Sequence, residues 1–362
     1  VTSIGNAAFD NCTGLTSVAL PQTLAIINCA SFDSCSALTR IVLPDSITQI
    51  GDGAFSGCTA LEGINLPDGI RELGYKTFYE CSSLKSLVLP EGLTSIGYGT
   101  FSRSGLESLV IPDGVTSIGD SAFANCTSLK NVTLPSGITA IPSGAFQTCY
   151  QLERIVIPEG VTTIGLNAFN CCHTLTAVSL PESLQAIEAG AFYWCEKLEE
   201  LTIPSSVTSI GGAAFQWDMA LPDVRIPGGV TEISSDSFMG CYSLKKLTIE
   251  DGVERIGASA FAFCKALTEV VLPDSLTQIG PSAFSSCGSL TSIILPARVA
   301  LLQENAFYGC TALESVCFRG NAPELGRSVF QTNDEAGKMV NIPGLTLYYL
   351  EAAEGWTAPV WN

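Results

Sequence analysis

Apolar residues recur at fixed distances along the chain after each proline of a repeated pattern. The unit that begins at Pro44 places them at Ile47, Ile50, Ala54, Phe55, Cys58, Leu61, Ile64 and Leu66. Spacing of two in the I-x-L stretch before each proline predicts a short strand, and the β-branched I/V-T-x-I stretch after it predicts a second. Through A-F-x-x-C-x-x-L the spacing widens to three, which is typical of a 3₁₀ or single helical turn.

Phenylalanine measures the period of this pattern. From Phe9 to Phe330 it returns every 23 residues, with one step of 22 after Phe101. One such unit cannot bury its apolar side alone and must stack on its neighbours. The sequence therefore predicts a solenoid of about 15 coils over residues 1–330, of which the first is incomplete.

Composition narrows the choice of partners. The chain has 362 residues, of which 46% are hydrophobic and 14% charged, and it carries a formal charge of -18. No apolar run approaches the roughly 18 residues of a membrane-spanning helix. Because a strongly acidic chain repels phosphate backbones, we expect no nucleic-acid partner, no attraction to an anionic membrane surface and no membrane insertion.

The repeat resembles a known family. Its pattern L-x-x-I-x-L-P-x-x-I-T-x-I-G-x-x-A-F-x-x-C, seen in Leu61 to Cys81 and recurring from Leu15 to about Phe318, is similar to the BspA-like leucine-rich repeats. The resemblance implies a right-handed, leucine-rich-repeat-type parallel β solenoid on the surface of a cell or secreted from it. Many members are described as adhesins, and the family brings no catalytic residues.

The regular pattern ends after Phe330. Residues 331–362 are predicted to hold an irregular insert, a closing strand over Leu345 to Leu350 and a cap made by Trp356 with Trp361. A cap is expected because the last coil must shield the open end of the core.

Candidate chemistry is scarce. His173 is the only histidine, which excludes a histidine-based triad, and we expect it to be an exposed turn residue. Twelve of the 15 cysteines share one repeat position, and their parallel side chains cannot converge on a zinc ion. Their spacing and direction are also wrong for disulfides, so reduced, buried thiols are predicted. We therefore expect no enzyme activity, no metal and no cofactor.

Aromatic residues depart from the repeat after Phe192. The positions between the phenylalanine and the cysteine are small or polar in most coils, but this region carries Tyr193, Trp194, Trp217, Tyr242 and Phe263. These residues are the candidate ligand-binding site, with Trp194 and Trp217 expected to be lateral neighbours. The alternatives are that the rings cover the coil edge as additional core, or that they mediate self-association.

Two further surfaces follow from the repeat. The position after the proline is often acidic, so a weak acidic ledge is predicted, beginning with Asp45, Asp68, Glu91 and Asp113. It is either a solvated turn or a loose site for divalent cations or basic partners. The outward residues of the I-x-L strands are often β-branched, which suits a binding sheet and simple strand propensity equally.

The resulting functional hypothesis is a non-enzymatic cell-surface or secreted module. It would bind a protein or glycan on a host or neighbouring cell surface, as an adhesin does. The alternative is a structural stalk or spacer within a larger surface protein.

Overall fold

A computed structural model describes residues 1–356 of the chain. The chain divides into two compact units, Val1–Ser183 and Leu184–Asn362, and the structure describes the second as far as Trp356. Each unit is a stack of coils made of short parallel strands and tight turns, and residues 1–356 contain no helix. The predicted fold class, a leucine-rich-repeat-type parallel β solenoid, is confirmed.

The first unit contains fourteen strands. They are β1 (Ser3–Ile4), β2 (Ile26–Ile27), β3 (Arg40–Ile41), β4 (Gln49–Ile50), β5 (Gly63–Ile64), β6 (Glu72–Leu73), β7 (Ser95–Ile96), β8 (Ser108–Val110), β9 (Ser117–Ile118), β10 (Asn131–Thr133), β11 (Ala140–Ile141), β12 (Arg154–Val156), β13 (Thr163–Ile164) and β14 (Ala177–Ser179).

The second unit contains the remaining strands. They are β15 (Ala186–Ile187), β16 (Glu200–Leu201), β17 (Ser209–Ile210), β18 (Asp223–Ile226), β19 (Glu232–Ile233), β20 (Lys246–Ile249), β21 (Arg255–Ile256), β22 (Glu269–Val271), β23 (Gln278–Ile279), β24 (Ser292–Leu295), β25 (Leu301–Leu302), β26 (Ser315–Phe318), β27 (Glu324–Leu325), β28 (Gln331–Asn333), β29 (Met339–Asn341) and β30 (Thr346–Tyr349).

The strands form two columns, as the two apolar spacings predict. In the I-x-L column, β12 pairs in parallel with β14 and places Ile155 opposite Val178. In the T-x-I column, β21 pairs with β23 and places Ile256 opposite Ile279. In both cases the partner lies 23 residues further along, so each coil stacks on the same repeat position of the next coil.

The stretch from the phenylalanine to the cysteine forms tight turns instead of the expected 3₁₀ or single helical turn. The Ser56 N–H bonds the Gly53 carbonyl within its own coil, whereas the Phe55 N–H bonds Thr77 of the next coil. Gly53 has a left-handed backbone, with φ of 61°. A helix requires consecutive right-handed residues and successive bonds within one segment. Here left-handed residues interrupt the turn, and every second N–H bonds the next coil.

Stacked phenylalanines form the centre of the core. The ring centroids of Phe32 and Phe55 are 5.4 Å apart in the first unit, and those of Phe215 and Phe238 are 5.0 Å apart in the second. All four rings are wholly buried. Burial of each ring contributes about 1.5–3 kcal/mol, so the ladder holds the coils in register.

The region after Phe330 contains a hairpin and a closing strand. β28 and β29 pair antiparallel, and β30 continues the sheet of β26 in parallel. The Trp356 ring stacks on Tyr349 at 4.6 Å and meets Phe318 edge-on at 4.7 Å. β30 lies within the predicted strand, Leu345 to Leu350. The cap stays a prediction, and Trp361 lies outside the described residues.

Candidate functional site

The residue just before the repeat cysteine position has a left-handed backbone in every coil from Asn11 to Gly309. Small residues and asparagine tolerate this conformation well, and Gly57 and Asn125 adopt it with φ of 67° and 60°. Trp194, Trp217 and Phe263 occupy the same position with φ of 64°, 65° and 62°. Bulky residues are uncommon there, so the backbone accommodates three large rings where it favours small side chains.

The predicted aromatic residues lie along this turn edge of the second unit. Trp194 is 40% exposed and Phe263 is 37% exposed, while the other three are half-buried. The Tyr193 and Trp194 rings are 5.6 Å apart and tilted by 58°. The five side chains are therefore partly covered and partly accessible.

Trp194 and Trp217 are on adjacent coils, as the period predicts. The Trp194 N–H donates to the carbonyl of Gln216, the residue before Trp217, at 2.9 Å. The ring of Trp217 meets Tyr242 edge-on, with centroids 5.7 Å apart and planes at 76°. Lys265 places its Nζ 4.6 Å from the centre of the Tyr242 ring, which adds a cation beside the aromatic surface.

The acidic ledge is exposed. Asp45, Asp68, Glu91 and Asp113 all lie at the surface. Asp113 accepts hydrogen bonds from the backbone N–H and the hydroxyl of Ser136, which lower the pKa of its carboxyl group. No three histidine, cysteine, aspartate or glutamate side chains within residues 1–356 are grouped to hold a metal ion.

The repeat cysteines form a buried column of free thiols. Eleven of the twelve are buried, and Cys12 in the first coil is exposed. The structure adds a feature that the sequence did not predict, because ten of these thiols donate to the phenylalanine carbonyl of the preceding coil. Cys126 donates to Phe101 at 3.0 Å and Cys149 donates to Phe123 at 3.2 Å.

Burial changes the acidity of these thiols. Desolvation raises the pKa of Cys126 to about 11 and the pKa of Cys264 to about 12. Reactive cysteines have a low pKa and access to solvent. The buried thiols of this column have a raised pKa instead, as cysteines that serve as packing groups do.

Asp218 replaces a cysteine in this column and is wholly buried. Its Oδ1 accepts the Cys195 backbone N–H at 2.8 Å, while its Oδ2 is enclosed without a hydrogen-bond partner. Desolvation raises the pKa of this carboxyl group well above its ordinary value. The structure shows that this carboxyl group stays inside the column.

Two aromatic pairs in the first unit were not predicted. Tyr75 and Tyr98 stack at 5.4 Å, and Lys76 places its Nζ 5.1 Å from the centre of the Tyr75 ring. His173, expected to be exposed, is half-buried and stacks on Tyr150 at 5.1 Å. Each pair occupies one repeat position in successive coils, so comparison of coils at that position would have found both.

The outward residues of the I-x-L strands form an exposed β-branched column. Val88 is 84% exposed and Val156 is 68% exposed. Neither side chain contributes to the core.

Comparison with protein families identifies the repeat. The model of the BspA type leucine-rich repeat region, in six copies, matches residues 2–130, 94–222 and 231–348. The chain belongs to this family. No curated protein matches this BspA-type chain, and residues 1–356 contain no helix long and apolar enough to cross a membrane.

Two solved structures of bacterial proteins share this fold. A leucine-rich repeat protein from Bacteroides ovatus is 28% identical with a TM-score of 0.70, and the match covers 92% of each chain. A leucine-rich repeat protein from Eubacterium ventriosum is 25% identical with a TM-score of 0.55, and that match covers 84% of each chain. The BspA-type protein described here thus shares its architecture with bacterial repeat proteins.

Proposed function

We propose that this BspA-type protein is a non-enzymatic binding module of a cell surface or of the extracellular space. It would recognise a protein or glycan of a host or neighbouring cell through Tyr193, Trp194, Trp217, Tyr242 and Phe263. The setting is proposed from the family, since BspA-like repeats resemble surface-exposed and secreted adhesins. The site is proposed from the geometry of this chain.

One observation carries the proposal: large aromatic rings occupy a left-handed backbone position that the fold fills elsewhere with small or polar residues. A left-handed backbone at a residue with a bulky side chain costs roughly 1–2 kcal/mol. Trp194 nevertheless leaves 40% of its surface in water. Partly exposed tryptophan and tyrosine side chains are common anchors of protein interfaces.

The test is a double substitution, Trp194→Ala with Trp217→Ala. Wild-type and variant proteins would be screened against immobilised matrix proteins, mucins and glycans, and their melting temperatures would be compared. We expect retained folding and lost binding. Tyr150→Ala removes a ring that is 42% exposed in the other unit and is the matched control.

Two results would contradict the proposal. A lowered melting temperature with unchanged binding would show that the rings are additional core. Failure of the wild-type protein to bind anything in the screen would favour the alternative, a structural stalk or spacer.

A further inference from the structure

The ring of Trp217 lies against Gly240, in space that is free only because this residue has no Cβ; this contact is called the seat of Trp217 below. A Cβ atom placed on Gly240 would overlap the six-membered ring of Trp217, and its three nearest atoms all belong to that ring. The ring therefore covers the glycine with its face. Gly240 occupies the position before the repeat cysteine, with φ of 77°, and its N–H bonds the Ala262 carbonyl at 2.8 Å. The backbone under the ring is thus fixed by the stacking of the next coil.

The Tyr242 ring packs edge-on against the Trp217 ring and forms one side of a corner, called its wall below. Its plane makes an angle of 76° with that of Trp217, so the two rings form a corner. Lys265 places its Nζ 4.6 Å from the centre of the Tyr242 ring, and its ammonium group is a hydrogen-bond donor. Trp217 is only half-buried.

A ring-shaped ligand with an apolar face matches such a corner. The face of an aromatic ring is electronegative, and it attracts the C–H groups of a pyranose, which are polarised by the neighbouring oxygens. The sugar hydroxyls that point sideways would meet Tyr242 and the lysine. The formal charge of -18 on the chain disfavours an acidic polymer, so an uncharged sugar is the better match.

We propose that Trp217 is the floor of a glycan subsite that takes one face of an uncharged pyranose ring. Tyr242 is its wall, and Gly240 is a positioning residue that lets the indole ring lie flat. This inference rests on the proposed function and adds to it the chemical class of the ligand.

Gly240→Ala is the decisive variant, because it keeps every aromatic side chain and displaces only the Trp217 ring. Gly309→Ala is its control. Gly309 occupies the same repeat position with φ of 74°, but the nearest atom to an added Cβ is the Ser286 Oγ at 3.3 Å. The two variants carry the same backbone strain, and only the first moves the ring.

Binding would be measured with chitotriose, lactose and maltotriose, by titration of tryptophan fluorescence and by saturation-transfer NMR. We expect at least one of these sugars to bind the wild-type protein. Gly240→Ala and Trp217→Ala should weaken that binding at least about tenfold, while Gly309→Ala leaves it unchanged. Absence of binding by all three sugars, or equal binding by the two glycine variants, would overturn the inference.

A second arm separates this inference from the proposed function. Mucin would be presented to the wild-type protein and to Trp217→Ala, before and after enzymatic removal of its glycans. Binding that depends on Trp217 and disappears with the glycans supports the subsite. Binding that depends on Trp217 but survives deglycosylation would exclude a glycan ligand and leave the proposed function intact. The Trp217→Ala variant keeps both arms informative if Gly240→Ala fails to fold.

Discussion

The buried thiol column should make the protein sensitive to alkaline pH. Cys126 and Cys264 have folded-state pKa values of about 11 and about 12, raised by desolvation. A thiol in the unfolded chain loses its proton near pH 8.5. The folded state therefore holds protons that the unfolded state releases, and stability is complete below about pH 8.5 and is lost as pH rises towards the folded pKa.

The loss of stability at alkaline pH depends on the difference between the folded-state pKa and the unfolded-state pKa of each thiol. Each such thiol loses about 1.4 kcal/mol of stability per pH unit above about pH 8.5. At pH 10 this amounts to about 2 kcal/mol per thiol. Seven thiols are wholly enclosed with a raised pKa, namely Cys81, Cys126, Cys149, Cys172, Cys241, Cys264 and Cys287. Cys126 and Cys264, whose pKa values are about 11 and about 12, therefore remove about 4 kcal/mol together at pH 10, a large part of the stability of a typical domain, and the other five act in the same direction.

The assay follows circular dichroism and thiolate absorbance in parallel while the pH is raised at constant ionic strength with a phosphine reductant. We expect both signals to change together in one cooperative transition near pH 10. Denaturant unfolding at several pH values then measures the slope of stability against pH. Cys126→Ala with Cys264→Ala should flatten that slope by about 2.7 kcal/mol per pH unit.

Cys12→Ala with Cys29→Ala is the control, because both of these thiols are exposed in the folded chain. This pair should leave the slope unchanged. The reasoning is refuted if thiolates form gradually near pH 8.5 while the circular dichroism stays native. It is also refuted if the two double variants show the same slope as the wild-type protein.

Three further predictions concern single positions and the acidic ledge. Asp218→Asn should stabilise the protein by about 1 kcal/mol or more at pH 7. Desolvation raises the pKa of this carboxyl group in the folded state, so its ionisation costs stability as pH rises above about 4. Denaturant unfolding at several pH values should therefore show a flatter slope for the variant. Gly97→Ala should cost about 1–3 kcal/mol in denaturant unfolding, because an added Cβ would lie 2.7 Å from the Gly74 carbonyl carbon. Gly63→Ala, with 3.9 Å of clearance, should cost less. Calcium should raise the melting temperature no more than sodium chloride of matched ionic strength does, and a specific rise would assign a cation site to the ledge that begins at Asp45.

The repeated features of this protein could be predicted from the sequence alone. The spacing of Phe32, Phe55 and the later phenylalanines predicted that each coil stacks on the next, and the two strands of each coil followed from the spacing of its apolar and β-branched residues. The same argument predicted buried, reduced thiols at the cysteine position. These predictions succeed because a solenoid repeats one environment, so a residue type that recurs at one position must satisfy the same contacts in every coil.

Only the tertiary structure decided what happens at positions that break the repeat. The seat of Trp217 on Gly240 joins residues in adjacent coils, and its geometry depends on the backbone angles of both. Asp218 could have turned outward, but its backbone position carries it into the column, where one oxygen has no partner. The expected helical turn became a series of tight turns because left-handed residues interrupt it and every second N–H bonds the next coil. The period predicts the surroundings of a residue type that recurs at one repeat position. The surroundings of a residue that differs from the repeat depend on neighbours about 23 residues away, which a local pattern does not specify.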